Sequence, residues 1–223
     1  MGVTAVVFDM DGVLIDSEPV WERVRRAYVA EKGGQWLPDT QRRLMGMSTG
    51  EWSEYLSGEL GVGEPPETVA REVVDRMAEH YDEGVPLLPG AVEAVQRISE
   101  RWPLGLASSS PRALIDSVLG RTGLIEFFTV TFSTEEVDRG KPAPDVYLTV
   151  ATFLRQRPTD CVAVEDSSNG LRSAYAAGMR VIAAPRPEYP PAADALRLAS
   201  EVISDLDELI PVLIETPTTG APE

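Results

Sequence analysis

Hydrophobic positions follow two periods along this chain. The run Val3, Thr4, Ala5, Val6, Val7, Phe8 is almost wholly apolar and rich in β-branched residues, as expected of a strand buried on both faces of a parallel sheet. The spacing then turns helical. Val20, Val24, Ala27 and Tyr28 recur on one face of a helix over 18–31, which Gly33 and Gly34 end. A short helix near 39–45 follows Pro38, and Ser48-Thr49-Gly50-Glu51 reads as a capping box opening a helix with Trp52, Tyr55, Leu56 and Leu60. After a break at 61–66, Val69, Val73, Met77 and Tyr81 are spaced by four and predict a helix over 67–83. No strand is expected between about 16 and 86.

Beyond a linker at 84–90, the two periods alternate. Helices are predicted at 91–101, 112–122, 145–155, 171–177 and 205–214, and strands at 104–107, 127–132, 161–165, 180–184 and 201–203. Such alternation implies right-handed crossovers and a parallel sheet. The predicted architecture is α/β: a Rossmann-like, doubly wound parallel sheet formed by 1–15 and 87–215, with an all-helical cap inserted at 16–86. Residues 216–223 are polar, with proline and glycine, and read as a flexible tail.

Composition narrows the function classes. The chain has 223 residues and 43% hydrophobic content, enough for a substantial core without covalent staples. Its one cysteine, Cys161, lies in an apolar run and predicts a buried thiol. The net charge of −16 opposes nucleic-acid and anionic-membrane binding, since both need basic patches. No apolar run is long enough to span a bilayer, and no basic leader precedes the first strand, so a cytoplasmic location is expected. A small anionic substrate remains compatible with this charge, because a metal and one lysine can reverse the field locally.

The chemistry-bearing residues cluster where predicted strands end. Asp9 and Asp11 follow the first strand, the edge at which open α/β sheets bind ligands, and Gly12 lets the backbone turn there. Two carboxylates so close call for a compensating cation, and Mg²⁺ suits carboxylate, carbonyl and phosphate oxygens. Asp9 would then be a metal ligand and a nucleophile toward phosphorus, and Asp11 a proton donor and acceptor. Ser108 and Ser109 follow a second strand and are placed to hold a phosphoryl group. Lys141 sits in a rigid loop between Gly140 and Pro142, and Glu165-Asp166 ends another strand, where Asp166 would complete the metal site with Glu165 in support. Taken singly, each also has a structural reading: an Asp-Gly turn, an N-cap serine, a solvated lysine, an acidic helix cap.

Together, in this order, the motifs resemble the haloacid dehalogenase superfamily. The stretches at 9–19, 106–111, 140–147 and 164–170 look like the subgroup with a helical cap after the first motif, which includes sugar-phosphate phosphatases and β-phosphoglucomutase. The resemblance spans nearly the whole chain. It implies Asp9 as nucleophile and Mg²⁺ ligand, and Asp11 as general acid/base and ligand through its carbonyl. Ser108, with Ser109, would bind the transferring phosphoryl group. Lys141 would neutralise charge on that group and on Asp9, and Asp166 would ligate Mg²⁺ with Glu165 close behind.

Within that subgroup, the second aspartate argues against halide expulsion, which needs no proton, and favours phosphoryl transfer. The mutase carries a cap histidine and an arginine; Trp21 and Thr49 stand at those positions here. A phosphatase acting on small phosphate monoesters, sugar phosphates above all, is therefore expected, with the mutase as alternative and a non-catalytic binding module behind it. Trp21, Met47, Thr49 and Trp52 read either as cap core or as the substrate-facing wall. His80 reads as surface or linker packing. A monomer or weak dimer is expected.

Overall fold

In a computed structural model, which describes residues 2–45 and 47–215, six strands form one parallel sheet in the order β3-β2-β1-β4-β5-β6. They are β1 (Ala5–Phe8), β2 (Leu104–Ser108), β3 (Phe128–Ser133), β4 (Cys161–Glu165), β5 (Arg180–Ala183) and β6 (Glu201–Val202). Every β1 residue is buried. Val6 and Phe8 enter one apolar cluster while Ala5 and Val7 enter another, so the strand's alternating sides feed cores on both faces of the sheet. This explains why the first strand carries no polar alternation. The expected tail at 216–223 lies outside the described residues.

Five helices separate β1 from β2, and the first four are α1 (Glu18–Glu31), α2 (Thr40–Leu44), α3 (Thr49–Ser57) and α4 (Pro66–Glu83). The predicted capping box opens α3: the Ser48 hydroxyl accepts from the Glu51 N–H, and a Glu51 carboxylate oxygen accepts from the Ser48 N–H at 2.7 Å. Val69, Val73, Met77 and Tyr81 form the buried stripe of α4, as their spacing requires. The crossings into and out of these helices run side by side: Asp16 N donates to Pro86 O at 2.8 Å, Leu88 N donates to Leu14 O at 2.9 Å, and Ile15 bridges Leu87 in antiparallel register.

The remaining helices are α5 (Ala91–Ser99), α6 (Arg112–Thr122), α7 (Asp145–Phe153), α8 (Ser168–Ala176), α9 (Ala193–Leu196) and α10 (Pro211–Glu215). Two expectations need correction. The long final helix at 205–214 is instead a 3₁₀ turn at Leu206–Glu208 followed by the short α10. The Asp205 carboxylate accepts from the N–H groups of Asp207 and Glu208, tightening that turn, and Pro211 has no N–H to continue a helix begun upstream. The short α9 was not expected, because its four residues are too few to show a period. Cys161 is a buried free thiol, and burial pushes its pKa up to about 11. No described helix is long and apolar enough to cross a membrane.

Candidate active site

The parallel register lines up the strand ends. Phe8 pairs with Leu106 and with Val164, so Asp9, Ala107 and Glu165 come to one level at the carboxyl edge of the sheet. Lys141 reaches them from the loop before α7. Its ammonium donates to Asp9 Oδ1 at 2.8 Å, Glu165 Oε1 at 2.6 Å and Ala107 O at 2.9 Å, which uses all three of its protons. That loop is itself pinned by a 2.6 Å hydrogen bond from Ser173 Oγ to Ala143 O.

Glu165 is fully buried and saturated. Besides Lys141, Oε1 accepts from the Tyr147 hydroxyl at 2.8 Å, and Oε2 accepts from Asp166 N, Ser167 N and Ser167 Oγ. Gly170 passes so close that an added Cβ would lie 1.8 Å from Glu165 Oε1. Glu165 thus fixes Lys141 and the turn into α8, with its hydrogen-bonding capacity already satisfied.

Asp11 is held by hydroxyls. Ser17 Oγ donates to Oδ1 at 2.6 Å, and Ser110 Oγ at 2.7 Å and Ser108 Oγ at 3.3 Å donate to Oδ2. Ser108 is wholly buried, its oxygen also accepting from Ser110 N at 3.0 Å. Ser109 is exposed and lines the cavity in front of Asp9. Ser17, Ser110 and Tyr147 escaped the sequence reading. Ser110 directly follows the pair Ser108-Ser109 within the stretch 106–111, whereas nothing in sequence spacing signals Ser17 or Tyr147.

Burial governs the electrostatics. It pushes the Asp9 carboxyl up to about 8, with Lys141 pulling the other way and Glu165 and Asp11 adding to the rise. Burial likewise holds Asp166 well above the ordinary carboxylate range, reinforced by Glu165 and Asp9. Burial opposes charge on Lys141, yet Asp9 and Glu165 outweigh it and hold the ammonium above its usual range.

Carboxylate oxygens of Asp9, Glu165 and Asp166 lie within 4.8 Å of one another, a spacing that could hold a metal ion. Three observations fit a hard divalent cation there. Asp166 Oδ1 is buried with no hydrogen-bond partner. Asp9 and Asp166 carry a charge penalty that a cation would relieve. Gly12, at φ +79°, leaves open the space in which a Cβ would meet Asp166 Oδ2 at 2.0 Å. His80 stands apart, 3.9 Å from the Glu83 carboxylate.

Above these groups is a cavity of about 480 Å³. Its floor includes Asp9, Asp11, Lys141 and Asp166; helices α1 and α3 and the segment between them supply Trp21, Arg25, Met47, Thr49 and Trp52. Trp21 and Trp52 are both buried and lie 6.0 Å apart between ring centroids, so they serve the helical core and the cavity wall at once. Arg25 also went unnoticed in the sequence, since a charged helical position ordinarily faces solvent.

Residues 3–178 match the family described as haloacid dehalogenase-like hydrolase. The chain is 38% identical over 192 residues to Hexitol phosphatase B of Escherichia coli strain K12, covering 83% of this chain and 85% of that protein. It is 34% identical over 179 residues to the Phosphorylated carbohydrates phosphatase of Thermotoga maritima, covering 80% and 83%. Among solved structures, CbbY from Rhodobacter sphaeroides in complex with phosphate superposes with a TM-score of 0.81 at 26% identity, covering 93% of this chain and 96% of that one.

Proposed function

The chain belongs to the haloacid dehalogenase-like hydrolases, and on that premise we propose that it is a Mg²⁺-dependent phosphatase of small phosphate monoesters, with sugar phosphates as substrates. The observation that carries this reading is the buried Asp9 carboxylate, anchored at 2.8 Å by an ammonium that Glu165 holds, and open to a cavity fit for a small polyol ester.

Asp9 is the nucleophile. Its free oxygen attacks phosphorus as the bond to the leaving oxygen breaks, giving an aspartyl-phosphate. Asp11 gives its proton to the leaving alkoxide, then takes one from the water that attacks the aspartyl-phosphate, so that phosphate departs and Asp9 is restored. Ser17 and Ser110 keep the Asp11 carboxyl oriented between its two proton transfers. Lys141 offsets the charge gathering on the phosphoryl oxygens. Ser109 and backbone N–H groups beside it receive the phosphoryl group, and Ser108 joins them when Asp11 turns away. Asp9, Asp166 and the Asp11 carbonyl hold Mg²⁺, which supplies charge neutralisation for the phosphoryl oxygens. Glu165 is a positioning residue. The helices at 16–86 act as a cap that excludes water and selects substrates.

The mutase alternative is disfavoured by what stands at its two diagnostic positions: an indole at Trp21 and a hydroxyl at Thr49, neither able to relay a sugar proton or clamp a second phosphate as the mutase's pair does. Incubation with Mg²⁺ and a panel of phosphate esters, including hexose 6-phosphates, β-glucose 1-phosphate and p-nitrophenyl phosphate, tests the choice. Free phosphate, lost with EDTA, is the expected result. Glucose 6-phosphate formed from β-glucose 1-phosphate without phosphate release would establish the mutase instead.

A further inference from the structure

Arg25 is the least satisfied cation near the cavity. Its residue surface is only 5% exposed, it makes no hydrogen bond or ion pair among the described residues, and its Nε is buried without a partner. Yet it lines the cavity that Asp9 and Lys141 floor. Its guanidinium carbon lies 4.3 Å from the Trp21 ring centroid and 5.0 Å from that of Trp52. A ring face attracts the cation without taking up its conventional hydrogen bonds, so the N–H donors remain for another group.

The acidic neighbours do not supply that group. Glu18 and Asp11 both act on Arg25 through space, but neither comes within ion-pair distance; Glu18 accepts from Gln41 Nε2 at 2.8 Å, and Asp11 is held by its serines. Burial accordingly brings the Arg25 pKa down to about 10, with Glu18 and Asp11 opposing the fall, so it remains a cation at neutral pH. A buried cation without a partner is costly, and a guanidinium can only donate; a neutral hydroxyl compensates it poorly, whereas a planar or tetrahedral oxyanion does so with two parallel hydrogen bonds. The neighbouring wall adds Arg42 and, on the sheet side, Arg186, which pairs with Asp16 at 3.5 Å and Glu188 at 3.9 Å.

We propose that Arg25, packed against Trp21 and Trp52, receives a second anionic group of the substrate, a carboxylate or phosphate carried at the end remote from the ester that is cleaved. The inference rests on the phosphatase reading and narrows its substrates to phosphorylated sugar acids or sugar bisphosphates.

The test compares kcat/KM of the full-length protein with Mg²⁺ for glucose 6-phosphate and sorbitol 6-phosphate, which end in hydroxyls, 6-phosphogluconate, which ends in a carboxylate, and fructose 1,6-bisphosphate. The anion-terminated esters should be preferred by on the order of tenfold to a hundredfold. Whichever of the two leads identifies the anion. Arg25→Met should abolish the preference and Arg25→Lys should retain part of it. A wild-type enzyme that treats all four alike, or an Arg25→Met variant that loses the same factor on each, would overturn the proposal. Should Arg25→Met fail to fold, gluconate and sorbitol are compared as inhibitors of p-nitrophenyl phosphate hydrolysis by the wild type. Inhibition by gluconate alone supports the site, and equal inhibition rejects it. If no ester is cleaved at all, the phosphatase reading fails. Titration calorimetry of 6-phosphogluconate against glucose 6-phosphate then decides the anion site, with equal binding or none rejecting it.

Discussion

On the sheet side of the cavity Lys141 uses all three donors and Glu165 is met by five, whereas on the helical side Arg25 lies against two indoles with no hydrogen-bond partner among the described residues. Apart from Asp166 Oδ1, which is left for a cation, the charged groups at the centre of the first wall are met by their own neighbours, and the cation of the second is not. Polar groups that hold one another in place suit a step of fixed geometry such as attack on phosphorus. A wall with unused donors among apolar surfaces is shaped for what varies between substrates. With the function proposed above, the same cavity would separate chemistry from selection.

Substitutions on the two walls should diverge accordingly. The largest effect is expected of Asp9→Asn, which should lower phosphate release by on the order of a thousandfold or more. In EDTA the same change should raise the melting temperature, because it removes a carboxylate that burial disfavours. The sign follows from linkage: the folded state holds this proton up to about pH 8 while the unfolded chain loses it near the ordinary carboxylate value. The metal-free protein therefore loses stability as pH rises between those limits, and Asn should flatten that slope. Thermal melts across pH would show it, and an unchanged or lowered melting temperature at pH 8 would refute the charge penalty.

Lys141→Met comes next, leaving Glu165 buried without its cation. A loss of about 3 kcal/mol or more is expected in denaturant unfolding, along with turnover. Smaller effects come from a pair of glycines. Gly170→Ala drives a methyl group into Glu165 and should cost about 2 kcal/mol. Gly50→Ala, in α3 with nothing within 4 Å of the new methyl, should stabilise by about 0.5 kcal/mol. Equal losses at both glycines would mean that the two walls are equally tight, and the contrast between them would fall.

Much of this was legible in the chain because buried parallel strands announce themselves as apolar runs and stop abruptly at functional residues. The run ending at Phe8 and the run ending at Val164 placed Asp9 and Glu165 side by side, as the register requires. Helical period likewise gave α1 and α4 their bounds to within about a residue. What spacing could not supply was the direction of each side chain. Asp11 turning back onto Ser17 depends on how the chain enters α1, and Tyr147 reaching across to Glu165 depends on how α7 packs on the sheet. Arg25 was hidden for a different reason. Periodicity counts apolar positions, so a cation held inside by two indoles is invisible to it. The final helix was misjudged against a signal that was present, Pro211, which marks a beginning better than a middle.

The stitching of the two crossings has a mechanical consequence. Separate tethers would let the block of helices α1 to α4 slide, tilt and twist independently of the sheet. Joined through Asp16 to Pro86 and Leu88 to Leu14, they form one paired connection, so any movement of the block against the sheet would have a single line to turn on. That line begins at Leu14, three residues beyond Asp11, so the helices are attached to the sheet right beside its pair of aspartates.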